Sequence, residues 1–260
     1  MELNYNSYLK IDELLSLQQP RTVPEEHDEL LFITVHQVYE LWFQQLLHEL
    51  HKMAADFSDD RVFAALHTMR RCTRILNTLV DQLDVLETMK PTSFAAFRER
   101  LDSASGFQSM QFRRIEFFLG DKRPGVLSAL PSDDPQLAEA RAALHAPTLI
   151  DHFHELLAHH GVLVPAELTT RDRTESNTSH PVVEDAVHWL YTTSPDMAVL
   201  FDQMMDFDQA LQDWRYRHLQ LTRRVIGSKP GTHGSDGASY LESTLFQPVF
   251  PELWALPHRL

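Results

Sequence analysis

The chain has 260 residues, 43% of them hydrophobic, with 8 glycines, one cysteine and a formal net charge of -14 at pH 7. That acidity excludes nucleic acid and an anionic membrane as main partners, because both select clustered Lys and Arg. The lone Cys72 excludes an intrachain disulfide and a cysteine-based zinc cluster, and with neither a signal-like N-terminus nor a membrane-length apolar run the expected location is the cytoplasm.

Long stretches of 3.6-residue periodicity without two-residue alternation predict an all-α fold. The spacing predicts a short amphipathic helix over 6–17, ended by Gln18-Gln19-Pro20. A long helix is predicted over 25–57, broken by Ser58-Asp59-Asp60, which also supply cap candidates for a second long helix over 61–89. Lys90-Pro91 stops that helix, and Thr92 or Ser93 is placed to cap one through Leu101. After the polar turn at Ser103–Gly106, a helix runs from Phe107 to Leu119 and stops at Gly120.

Residues 121–135 read as loop. Helices follow near 136–145 and 148–159, then a polar excursion over 165–180, a helix near 182–192 and a long one from Asp196 to Ile226. Four of the 8 glycines fall between Gly227 and Gly237, a composition suited to close backbone approach or to mobility. A last helix and the aromatic segment Phe246–Trp254 complete the chain. Nothing resembles an interdomain linker, so residues 1–260 read as one helical domain.

Within the first long helix, Phe32, His36, Tyr39, Glu40 and Phe43 fall close to one face. An imidazole among inward-facing rings is either a core histidine bonded to a neighbour or a partner for a flat apolar ligand. His218, within Asp213-Trp-Arg-Tyr-Arg-His218, lies on the long helix that leads into the glycine-rich loop. A neutral imidazole from a helix is the usual proximal ligand of haem iron. Arg215, Arg217, Arg223 and Arg224 then either pair with propionates or form a solvated basic face. Arg98, four residues after Phe94, suits capture of a carboxylate or, equally, a surface pair with Asp102. Other metal and nucleotide motifs are absent: His48-Glu-Leu-His51 has the wrong spacing for zinc on one helical face. Asp151-x-x-His154 and Asp185-x-x-His188, the nearest approach to di-iron spacing, fall on helices expected at the surface.

Taken together, these segments resemble the haem-dependent tryptophan 2,3-dioxygenases. The resemblance rests on Tyr5-Asn-Ser-Tyr8-Leu9, Gln18-Gln19-Pro20, the run His27–Phe43, Val85–Met89, Phe97-Arg98, Ser103–Ser109, Gln111-Phe-Arg113, Trp214–His218 and Phe250–Trp254. It implies an all-α helical bundle, a homotetramer arranged as a dimer of dimers, and one haem b per subunit with O₂ as co-substrate. It implies His218 as axial ligand of the iron and His36 as the distal histidine facing the indole N–H. Arg98 would bind the carboxylate of an aromatic amino acid and Thr232 its ammonium group. Phe32, Phe94 and Phe97 would shape the indole pocket, with Ser105 and Gly106 on the distal side. Tyr5, Tyr8 and Leu9, in the N-terminal segment 1–17, would close a neighbouring subunit's pocket. The implied reaction adds O₂ across the indole C2–C3 bond and gives N-formylkynurenine, with no nicotinamide or flavin.

Two positions depart from the family's pattern. The loop usually reads Gly-Thr-Gly-Gly-Ser-Ser-Gly, whereas this chain has Gly231-Thr-His233-Gly-Ser-Asp236-Gly237. Leu83-Asp84 stands where an aromatic residue and a serine are common. The superfamily includes enzymes that insert one oxygen atom into modified aromatic amino acids, so a monooxygenase of a modified tryptophan is the alternative reading. A helical haem carrier or sensor without turnover is a third, from a different class.

Overall fold

In the computed structural model, which describes residues 3–102, 104–129, 136–227 and 237–259, every regular element is a helix. In chain order these are α1 (Tyr5–Leu9), α2 (Ile11–Leu15), α3 (His27–Ser58), α4 (Val62–Leu86), α5 (Pro91–Arg98) and α6 (Met110–Phe118). The order continues with α7 (Leu137–His145), α8 (Leu149–His159), α9 (Ala166–Thr169), α10 (Pro181–Thr193), α11 (Pro195–Ile226), α12 (Ala238–Ser243) and α13 (Pro251–Trp254).

The centre of the molecule is α4, packed along both α3 and α11. The reason lies in its spacing. Ala65, Met69, Cys72, Leu76, Leu79 and Leu83 recur every three or four residues and are almost wholly buried, a seam that two neighbouring helices can share. Each large side chain buried there contributes about 1.5–3 kcal/mol. Burial pushes the Cys72 thiol up to about 12, so it serves as a small core residue rather than a nucleophile. The Tyr39 hydroxyl, donating to the Leu79 carbonyl at 2.5 Å, ties α3 to α4 beside the cavity described below.

Several local expectations are corrected. The helix predicted over 6–17 is two five-residue pieces, because Lys10 adopts a left-handed backbone with φ 55°. Ser58 is still helical, and no side chain caps α4. The turn is held instead by buried Asp56, which accepts from Arg61 Nε at 3.0 Å. Neither Thr92 nor Ser93 caps α5, which starts with Pro91 at its first position after Lys90. The helix predicted over 107–119 is a 3-10 turn at Gly106–Gln108 followed by α6, the break falling at Ser109, whose Oγ accepts from Phe112 N.

Two segments expected at the surface are tied into the fold. α8 packs on α3 and buries His154, while Asp151 accepts from Arg171 at 3.0 Å. The polar stretch 165–180 crosses the end of α6: Asn177 N donates to the Gly120 carbonyl at 3.2 Å, and Ser176 Oγ accepts from Lys122 N at 3.0 Å. A Cβ on Gly120 would lie 2.1 Å from the Asn177 side chain, and its φ is +94°, so only glycine fits there. No helix among the described residues is long and apolar enough to cross a membrane.

Candidate functional site

A cavity of about 600 Å³ opens between α3, α5, α6, α11 and α12, within the usual size range of small-molecule and cofactor sites. Two histidines face it: His36 from the first third of α3 and His218 from the last third of α11.

His36 Nδ1 lies 2.7 Å from the carbonyl oxygen of Phe32, one turn earlier. A carbonyl only accepts, so Nδ1 carries the proton, and in the neutral ring Nε2 is left as an acceptor. Burial holds the His36 pKa below its ordinary value. The ring's accessible surface belongs to the cavity wall, yet the surrounding protein excludes enough water to favour the uncharged form. Glu40, one turn further, also lines the cavity, with its carboxylate held by Gln111 Nε2 at 2.9 Å.

Phe32 stands 4.0 Å from the His36 ring, 5.8 Å from Phe94 and 5.3 Å from Phe97, centroid to centroid. Phe32 and Phe94 line the cavity. Phe97, expected at the wall, is fully buried behind them and braces Phe94 edge-on at 5.3 Å. Arg98, the last residue of α5, borders the cavity beside this aromatic group. The eight-residue α5 thus delivers two rings and a guanidinium to one place.

His218 stacks on Trp214, one turn earlier, at 5.2 Å and 25°. Burial first, and then the nearby His36 and Arg113, push its pKa down to about 4, so it is neutral across the physiological range. No hydrogen bond reaches its ring among the described residues. A neutral imidazole on a helix, held by a stacked indole and carrying an unengaged nitrogen at an apolar cavity, has the donor chemistry of a haem ligand. The opposite requirement, room for a flat ring, is met by the Leu86, Leu221 and Val225 walls and by Gly106, where an added Cβ would meet nothing within 4 Å. The residues present therefore fit a haem. Ser105 also lines the cavity, but its Oγ is engaged as the cap of the 3-10 turn, accepting from Phe107 N at 3.3 Å.

The basic residues of α11 are largely committed to protein partners. Arg217 pairs with Asp84 and Glu87, Arg223 with Glu242 and Arg224 with Glu87. Arg215 is buried and donates to the carbonyls of Thr244 and Gln247. The charged group that sequence reading passed over is Arg113 of α6, which lines the cavity together with Tyr240 of α12. Arg113 stood in a quoted motif without a role, and Tyr240 gave no periodic signal because its helix is six residues long.

Tyr5, Tyr8 and Leu9 lie on α1, exposed and away from this chain's own cavity. Thr232, His233 and Asp236 lie outside the described residues. Among the described residues no group of three or more His, Cys, Asp or Glu side chains is arranged to hold a metal ion.

The family model for tryptophan 2,3-dioxygenase matches residues 1–127 and 169–260. The chain is 48% identical to the tryptophan 2,3-dioxygenase of Herpetosiphon aurantiacus, over 98% of this chain and 97% of that protein. It is 46% identical to that of Anaeromyxobacter dehalogenans over 98% and 95%, and 40% identical to that of Kineococcus radiotolerans over 98% and 90%.

Proposed function

For a chain that belongs to the tryptophan 2,3-dioxygenase family, we propose that the cavity opens the indole ring of L-tryptophan with O₂, giving N-formylkynurenine. The observation that carries the site assignment is the pair of neutral imidazoles on one apolar cavity, His36 from α3 and His218 from α11. His218 would hold a haem b by its ring nitrogen, and Trp214 would fix the plane of that ring. The haem, when bound, supplies the ferrous centre that activates O₂.

The remaining work falls to the chain. The indole is a flat apolar ring with one N–H. Phe32 and Phe94 offer the slot, and His36 Nε2 offers the acceptor that its Nδ1 bond leaves open. An indole N–H is a very weak acid, so a neutral imidazole orients the ring rather than deprotonating it. Arg98, on the cavity wall, would take the amino-acid carboxylate through a charge-assisted, two-pronged contact. Thr232 would take the ammonium group. Ser105 and Gly106 keep the distal wall small.

The subunits would assemble as a homotetramer, a dimer of dimers. Tyr5, Tyr8 and Leu9 are exposed on a helix too short to hold a core of its own. In the assembly they would cover a neighbour's pocket.

The test is product mass spectrometry from L-tryptophan under ¹⁸O₂, with His218→Ala alongside. Two labelled atoms in N-formylkynurenine, and loss of the Soret band in the variant, are expected. A single labelled atom would overturn dioxygenation, and an unchanged ferrous spectrum in His218→Ala would overturn the ligand assignment.

A further inference from the structure

Where the Gly106–Gln108 turn, α6 and α12 meet, the cavity wall is charged. Arg113 ion-pairs with Glu116 and donates from the same nitrogen, Nη1, to the Tyr240 hydroxyl at 2.8 Å. Arg123 pairs with Glu116 and, at 3.1 Å, with Asp121. Arg215 reaches Asp121 at 3.4 Å. Three guanidiniums therefore meet two carboxylates in ion-pair contact, leaving one positive charge over. The next carboxylate on α11, Asp208, is beyond ion-pair distance and is occupied by Val249 N, Phe250 N and Trp254 Nε1.

Arg215 also lines the cavity, but it spends both terminal nitrogens, Nη1 on the Thr244 and Gln247 carbonyls and Nη2 on Asp121, so Arg113 is the cavity-lining member with a terminal nitrogen to spare. It is 4% exposed and lines the wall. Its guanidinium carbon lies 4.9 Å from the Phe107 ring centre and 5.3 Å from that of Phe112. Both of its hydrogen bonds leave from Nη1, Nε is sealed within the protein, and Nη2 is the donor left for the cavity. A buried cation with unmet donors is costly unless an anion completes it, and a guanidinium fixed between rings is a pre-organised receptor for a carboxylate. Phe112 packs 5.0 Å from Trp214, which stacks on His218. The cluster is thus joined ring to ring with the axial histidine, whereas Arg98 belongs to the Phe32–Phe94 group beside His36.

We propose that Arg113 anchors a carboxylate of the cofactor, a haem propionate, at a place separate from Arg98, which would take the carboxylate of the amino acid. This rests on the reading that the cavity holds haem. It assigns to α6 a contact that the arginine-rich end of α11 offered in the sequence, and which Arg217, Arg223 and Arg224 make instead to acidic side chains.

The test uses the full-length chain, expressed under haem limitation and titrated with haem and with haem dimethyl ester, whose two carboxylates are capped. Wild type should prefer haem by about tenfold or more, as expected for a charge-assisted contact. Arg113→Gln should lose most of that preference by weakening haem while leaving the ester within about threefold. Equal weakening of haem and ester would mean that Arg113 only supports the wall, and would overturn the proposal. So would an unchanged haem affinity with a raised KM for L-tryptophan, which would assign Arg113 to the substrate. The wild-type preference needs no variant: if wild type binds haem and its ester equally, the proposal fails even where Arg113→Gln does not fold. If wild type binds neither with a Soret band, the haem reading itself fails.

Discussion

His36 donates from Nδ1 to the carbonyl of Phe32 at 2.7 Å, and that one bond decides which nitrogen the cavity sees. A helix carbonyl one turn back is a fixed acceptor, so the tautomer is set before any ligand arrives. His36→Ala should keep its haem and lose about ten- to a hundredfold in kcat/KM on L-tryptophan, since leaving the buried indole N–H without its acceptor costs about 1–3 kcal/mol. It should also use 1-methyl-tryptophan better than wild type does, because space replaces the imidazole. Complete inactivity on both substrates with full haem loading would point to obligatory proton transfer instead.

Arg98 closes α5 beside the Phe32–Phe94 rings. Losing a charge-assisted, bidentate contact in a dry site costs about 3 kcal/mol, roughly a hundredfold in kcat/KM. Arg98→Ala should be impaired to that extent on L-tryptophan and should discriminate poorly against an indole lacking the carboxylate. Near-normal kcat/KM would remove Arg98 from substrate binding.

The N-terminal segment exposes Tyr5, Tyr8 and Leu9, and Gln18 fastens its end to Gln37 of α3 at 2.5 Å. Deleting residues 1–17 should weaken oligomerisation and raise KM together, measured by sedimentation and steady-state kinetics. A monomer with unaltered kinetics would contradict a shared site.

His154 is buried in α8 with Nε2 unpartnered, and burial pushes its pKa down to about 4. The unfolded chain takes up this proton near 6.5, earlier than the folded one. The stability contribution is therefore full above about pH 6.5 and is lost progressively as pH falls toward 4. At most this amounts to roughly 3 kcal/mol. His154→Leu should flatten the acid side of the stability curve over that interval, read by urea unfolding at stepped pH. An unchanged slope would mean that His154 stays protonated in the fold.

The sequence by itself determined the helices of this protein and the identity of its key side chains. Periodicity marks α3, α4 and α11 to within a few residues, because a helix must present an apolar stripe every 3.6 residues whatever it packs against. His36, Arg98 and His218 stand out because polar groups among apolar ones are conspicuous. Only tertiary structure decided which of these groups share a cavity. His36 and His218 are 182 residues apart in number, and they meet because α4 offers a seam to α3 and α11 at once. The resemblance names Phe97 with Phe32 and Phe94 as shaping the indole pocket, yet packing buries it behind Phe94. Arg113 and Tyr240, from helices with no sequence relation, became partners through a hydrogen bond that no local pattern encodes. Side-chain periodicity is a property of one element. Which donors remain unpaired, and which charges are left in excess, depends on contacts between elements, and those contacts exist only in the folded chain.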